Sequence, residues 1–301
     1  MSDQTADAGG DLDSPDRSGA LIALGMVLRS PGGLIGSLII LVFLATAILG
    51  SVVTFGGMEI HYLADGKVAR LLTPAEHWPL GTDYYGRDVY TQLVLGARTA
   101  FVVSTISTLF MIVIGTNIGL FSAYYGGRVD TILMRLTDLA FAVPFLPFAV
   151  ILVALLGPSL WNVILTISCL MWRTTARVIR SQVLSIKQRT FIRASKVAGA
   201  GDLRIIYLHI FPNVLPMALL YVAFGVSWAV LSEASLSFLG FGDPDTVSWG
   251  QMLYNAYMSA SIRSAWWWTI PPGVCITLFV MAVFLIGREF ERVVNPKLRS
   301  S

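Results

Sequence analysis

Charge is what this sequence has least of. Asp, Glu, Lys and Arg make up 13% of its 301 residues, about half the share of an ordinary soluble domain. So little charge cannot cover a water-soluble globule, which excludes a disordered chain and most soluble enzymes. The net charge of +3 is too small to serve nucleic-acid binding. Cysteine is scarce too. Cys169 and Cys275 both sit in apolar runs, with neither a disulfide framework nor metal-ligand spacing. His61, His77 and His209 pair with no Glu at metalloprotease spacing, and neither G-x-S-x-G nor a phosphate-cradling Gly loop occurs. The expectation is a protein that holds no cofactor or metal and catalyses nothing itself. Any ATP that drives it is hydrolysed by another subunit.

Apolar residues take the vacant share: 55% of the chain, with a mean hydropathy of +0.71. A membrane-crossing helix needs about 20 mostly apolar residues. Stretches free of charge predict six: Leu34–Thr54; the run between Arg98 and Arg128; Thr131–Leu156 and Ser159–Ile179, parted by Gly157-Pro158-Ser159; Phe211–Leu239; and Ala265–Gly287. The expected fold is an all-α integral membrane protein embedded in a lipid bilayer. Residues Met1–Asp16 hold five Asp and no Lys or Arg, the reverse of a signal peptide. Residues 1–28 then read as an acidic disordered tail plus a short surface helix, ended by Ser30-Pro31-Gly32-Gly33. Residues 29–97 hold the first span and an outward segment, 98–288 the remaining spans, and 289–301 a tail.

Orientation follows the excess of Lys and Arg on cytoplasmic loops. Arg173, Arg177, Arg180, Lys187, Arg189, Arg193, Lys196 and Arg204 stand between spans four and five against the single acid Asp202, and Arg288, Arg292, Lys297 and Arg299 close the chain. This puts both termini and that loop in the cytoplasm, and 55–97 and 240–264 outside. The outward segment is expected to end in an amphipathic helix capped by Thr82 or Asp83, with Gly81 allowing the turn.

Inside the spans, Arg135 and Asp138 share a helix face three residues apart, as a rim ion pair or as functional charges. Glu233, near the outer end of span five, lines a polar route, reaches the interface or bonds nearby hydroxyls. Pro144 and Pro147 kink span three, and Pro271-Pro272 span six. Trp266-Trp267-Trp268 reads as an interfacial aromatic belt. In the basic loop, Phe191–Ala198 predicts a short helix that Gly199-Ala200-Gly201 breaks. Asp202 then caps a second helix, Leu203–Ile210, with Leu203, Ile206, Tyr207 and Ile210 on its apolar face, and Pro212 opens span five. Two short helices on a cytoplasmic rim bury against lipid headgroups or a protein partner.

Here the loop, residues 180–211, resembles the EAA motif of bacterial ATP-binding-cassette importer permeases. Arg193-Ala194-Ser195, Gly199 and His209-Ile210-Phe211-Pro212 hold the motif's places, with Arg193 in place of its usual Glu. Pro79-Leu80-Gly81-Thr82-Asp83-Tyr84-Tyr85-Gly86-Arg87-Asp88, Gly96-Ala97-Arg98 and Glu233-Ala234-Ser235-Leu236-Ser237-Phe238-Leu239-Gly240 are similar to blocks of the dipeptide, oligopeptide and nickel branch. The resemblance spans about residues 29–299 and implies a type I importer permease fold. It further implies a sister permease in a heterodimer, two cytoplasmic ATPase subunits gripping the loops, an extracytoplasmic solute-binding protein, and residence in a bacterial cytoplasmic membrane. In that scheme Ala194, Ser195 and Gly199 form the mechanical joint. The competing reading is an ion channel or secondary transporter that needs no ATPase. It asks for more ionisable residues or broken inverted repeats at mid-membrane, and no convincing internal repeat is present.

Overall fold

The structure, a computed structural model, describes residues 29–54, 58–75 and 78–294. The expected N-terminal tail, His77 and the last seven positions lie outside the described residues. Helix α1 spans Pro31–Val53, α2 Val89–Tyr125, α3 Gly127–Ala142, α4 Phe145–Leu156 and α5 Leu160–Ile186. Then come α6 at Thr190–Val197, α7 at Asp202–Arg204, a π-helical turn at Ile205–Ile210 and α8 at Phe211–Phe238. Helices α9, Trp249–Met258, and α10, Trp266–Val294, complete the fold.

Four helical stretches are long and apolar enough to cross a membrane, and α3 with α4 make a fifth if that bent pair counts as one. The expected count of six is therefore approximate. α5 has the length, but its apolar part gives way to Arg173, Arg177 and Arg180. α2 has 37 residues and runs about 55 Å, well beyond a hydrocarbon core of about 30 Å.

Several helix starts differ from expectation. Ser30 parts helical Arg29 from α1, which it caps: its Oγ accepts from the Gly33 N–H at 3.0 Å, and Pro31 sits where a missing N–H costs nothing; the expected surface helix before it lies outside the described residues. Asp88, not Thr82 or Asp83, caps α2, accepting from the Thr91 N–H at 2.8 Å. Thr82 and Asp83 lie buried in a knot over residues 58–88, pinned by bridges Tyr62–Val68, Ala75–Trp78 and Thr82–Asp88. Trp267 and Trp268 are core rather than belt. Trp268 is fully buried, and the Trp267 indole N–H donates to the Thr82 carbonyl at 3.2 Å, so only Trp266 is exposed.

Span three is two helices, not one. α3 and α4 meet at 87°, where Pro144 and Pro147 remove two N–H donors three residues apart. The second short helix of the loop is not separate either. α7, the π turn and α8 run on continuously from Asp202 to Phe238. Pro212 has no N–H for the Leu208 carbonyl, and the turn before it widens, so that Phe211 N–H donates to Ile206, five residues back.

α2 and α5 form the most extensive helix pair. Gly115 and Gly119 explain it: a Cβ on either would lie 2.7 Å from a carbonyl oxygen of α5, that of Trp172 or Ala176. Small residues four apart let two backbones meet where lipid offers no hydrophobic drive to pack. Three apolar clusters fill the molecule: one around Trp249, Trp268 and Phe279 beside the 58–88 knot, one around Val103, Ile167 and Leu236, and one around Leu120, Ile179 and Ile206 beneath the basic loop.

Candidate functional site

The basic loop is built as helix, stop and helix. α6 ends in a Schellman arrangement: Gly199 N–H donates to the Lys196 carbonyl at 3.0 Å and Ala200 N–H to that of Ser195 at 3.1 Å. Gly199 has φ +80°, a region that L side chains avoid. A Cβ there would meet nothing within 4 Å, so within this chain the need for glycine is conformational, not steric.

Asp202 is not a cap. It occupies the first turn of α7 and accepts the Tyr124 hydroxyl at 2.6 Å, tying the loop to the end of α2. Lys187 reaches the same end, donating from Nζ to the carbonyls of Ala123, at 3.2 Å, and Tyr124. Its charge thereby sits where the α2 dipole is negative. Lys196 lies over the Tyr124 ring, 5.0 Å from its centroid.

The π turn changes which side chains the loop buries. Ile205, Ile206 and Ile210 are buried, whereas Leu203 and Tyr207, expected on the apolar face, are exposed. A 3.6-residue period fails once the turn widens. Leu203, Leu208 and Val197 stand 60%, 63% and 89% exposed. Arg193 and Ala194 are exposed beside them, and the Arg193 Nη2 donates to the Gln188 carbonyl at 3.0 Å. Ser195 donates to the Phe191 carbonyl at 2.9 Å. His209 is half-buried with its carbonyl accepting from the Asn213 amide at 2.7 Å, and Pro212 is exposed.

Arg135 and Asp138 do not pair. Asp138 binds Arg177 of α5 at 2.6 Å, and one turn on, Arg180 grips Asp130 through two bonds of 2.7 and 2.6 Å. A partner on a facing helix outcompetes the local one. Arg177 is also stacked over Phe141, 3.9 Å from its centroid. Glu233 reaches no interface: it is 5% exposed and accepts the Ser237 hydroxyl at 2.6 Å. At the opposite end, Asp83 accepts from the Tyr85 and Arg87 N–H groups, both at 2.8 Å, and from the Gln92 amide at 3.0 Å. Burial nonetheless pushes its carboxyl above the usual range.

Sequence reasoning missed a cavity of about 320 Å³ between α2, α5 and α8, bordered by Met111, Phe145, Arg173, Tyr221 and Trp228. It missed Tyr124 as well, whose partner lies 78 positions on. The Gly115/Gly119 pair was readable from its spacing.

Comparison with known proteins places this architecture. Residues 115–300 match the family described as binding-protein-dependent transport system inner membrane component. The dipeptide transport system permease protein DppC of Alkalihalophilus pseudofirmus is 35% identical over 269 residues, 89% of this chain and 86% of that protein. Its namesake from Haemophilus influenzae is 35% identical over 279 residues, covering 90% and 92%. Among solved structures, the MetNI methionine ABC transporter in an inward-facing conformation matches 67% of this chain and 94% of that one, with a TM-score of 0.53 at 20% identity. That likeness extends to the fold.

Proposed function

The chain belongs to the binding-protein-dependent transport system inner membrane components, as a multi-pass permease subunit of an ATP-driven importer, and from that premise we propose that its solute is a peptide and that residues 180–211 are where ATPase motion enters it. The substrate class rests on the dipeptide permeases it resembles, with nickel complexes as the alternative cargo. One observation carries the coupling role. Leu203, Leu208 and Val197 are exposed on an ordered helix–stop–helix at the basic end of the molecule. Apolar side chains held out by a rigid frame suit a protein groove better than water. In this reading the ATP site lies wholly on two partner subunits. A sister permease completes a heterodimer, and a binding protein delivers solute to the 58–88 side. Both termini face the cytoplasm, as the basic residues demand.

Val197→Asp together with Leu203→Asp tests this. The variant should reach the membrane in normal amount, fail to retain the ATPase subunits on purification and lose uptake. Full ATPase retention with normal uptake would defeat the coupling reading. Orientation has its own test: Lys67→Cys should react with an impermeant thiol reagent from outside, because Lys67 is 80% exposed on the outward knot. Labelling from the cytoplasmic side alone would invert the topology.

A further inference from the structure

The elbow between α3 and α4 poses an accounting problem. In an unbroken helix each N–H reaches the carbonyl four residues back. Proline has none, so Pro144 denies a donor to the Ala140 carbonyl, and Pro147 denies one to that of Val143. These are the two carbonyls that Arg173 takes up from α5. Its Nη1 donates to Ala140 and, at 3.3 Å, to Val143. The guanidinium also lies over Phe141, 4.9 Å from the ring centroid. In apolar surroundings no water replaces a missing donor, so these bonds hold the bend.

Beyond packing on α2 and the Ser122 hydroxyl donating to Asp130, α3 has little else to hold it. Its only buried residue among those described is Thr137. Three arginines of α5 fix it in place: Arg180 on Asp130, Arg177 on Asp138 and Arg173 on the backbone. Arg173 differs from the other two. It meets no carboxylate, and it borders the 320 Å³ cavity, as does Phe145, the first residue beyond the bend. Its grip therefore sets both the angle of the elbow and one wall of that cavity.

We propose that Arg173 is a positioning residue for transport, supplying the hydrogens that Pro144 and Pro147 cannot give and thereby fixing the elbow that walls the cavity. The transport half of this rests on the importer reading above; the elbow half does not. The competing role for Arg173 is a bare positive charge that meets an anionic group of the solute in the cavity.

The test is a mutant cycle in the assembled importer. Arg173→Met is compared with the parent in two backgrounds, native and Pro144→Ala/Pro147→Ala. Spin labels at Leu139 and Leu155, with both native cysteines replaced, report the distance across the elbow. In the native background, Arg173→Met should broaden that distance and lower uptake per ATP hydrolysed at least tenfold. In the proline-free background backbone N–H groups are available again. There the same change should leave the label distance unmoved and shift the melting temperature by less than a third as much. Equal effects in both backgrounds would overturn the proposal, as would a native-background elbow indifferent to Arg173→Met. If Arg173→Met fails to accumulate in the membrane, recovery of its abundance in the proline-free background becomes the readout. Failure to recover then counts against it. A normal cycle in elbow distance with no uptake by the parent would sink the importer reading and leave the elbow assignment standing.

Discussion

The two ends of the molecule handle polar groups in opposite ways. At the 58–88 end, apart from the bond Trp267 gives to Thr82, the side-chain bonds stay within the segment and the start of α2. Thr82 donates to Ala69 and accepts from Leu72, Asp83 gathers three N–H groups, and Asp88 caps α2. At the basic end, the links run long. Tyr124 reaches Asp202, Lys187 reaches back to α2, and Arg180 reaches Asp130. The first end buries Trp267 and Trp268 and exposes mainly aromatic side chains with polar tips, such as Tyr62, Tyr84 and Tyr85, whereas the second leaves the aliphatic Val197, Leu203 and Leu208 in the open. One end is the more complete within this chain, although Arg87 Nε, Asp88 Oδ1 and Trp268 Nε1 are buried there without a hydrogen-bond partner. The other is rigid but unfinished, as a surface made to receive a partner would be.

The largest expected effect lies at the complete end. Asp83→Ala leaves the Tyr85 and Arg87 N–H groups and the Gln92 amide without their acceptor. Losing acceptors for buried donors should cost about 3 kcal/mol, read as a lower melting temperature of the purified importer. Asp83 also has a sign to check. Its folded-state carboxyl is raised by burial, so its stabilisation is full below the unfolded carboxylate range and declines as pH rises through the folded value. The melting advantage over Asp83→Asn should therefore widen from neutral pH down to about pH 4. A constant gap would mean that the carboxylate's N–H donors balance its burial, and a gap that narrows toward pH 4 that they outweigh it.

At the unfinished end the expected cost moves from folding to assembly. Gly199→Val forces a β-branched residue to φ +80°, a strain of about 1–2 kcal/mol. Expressed in the docked geometry, that is about a 5- to 30-fold loss of ATPase association. Gly199→Asn should be nearly silent, since Asn tolerates that backbone region. Because a Cβ meets nothing nearby, loss of the Val variant from the membrane would show that Gly199 serves folding alone.

What the sequence made legible divides along the same line. Apolar runs marked α1, α2, α8 and α10, and Gly199 marked the end of α6, because span and stop are local properties. The elbow was only half visible. Two prolines announced a kink, but the donor that stabilises a full break, Arg173, sits on another helix. Asp202 looked like a cap by type and position, yet Tyr124 claims it across 78 residues. Arg135 and Asp138 share a helix face, yet Asp138 takes Arg177 of α5 as its partner. In each case a tertiary partner displaced a local rule that was chemically sound.

Tyr124→Phe isolates one of those long links. It keeps the ring under Lys196 and removes the bond to Asp202. The stability loss should be about 1 kcal/mol, with ATPase association retained and uptake per ATP hydrolysed reduced several-fold. Unchanged coupling at reduced stability would make the bond a strut only.

Arg193→Glu should have the smallest effect on the fold and the clearest on the partner. Arg193 is exposed, and its one recorded bond goes back to the Gln188 carbonyl, so stability should move by no more than about 0.5 kcal/mol. The change even has a compensating term. Residue 193 lies in the first turns of α6, where the helix dipole favours a negative charge, and Lys187, Arg189 and Lys196 lie near it in sequence. The partner ATPase meets this same spot in our reading. A groove that accepts Arg193 carries acidic or neutral groups opposite, and a glutamate there repels or loses them. Association with the native ATPase should weaken several-fold at low salt, with the difference shrinking as salt screens it. A fall in melting temperature with unaltered association would place Arg193 among the structural residues of the loop. A salt-dependent loss of association at constant stability would identify it as the point where this permease distinguishes its own ATPase from those that expect a glutamate.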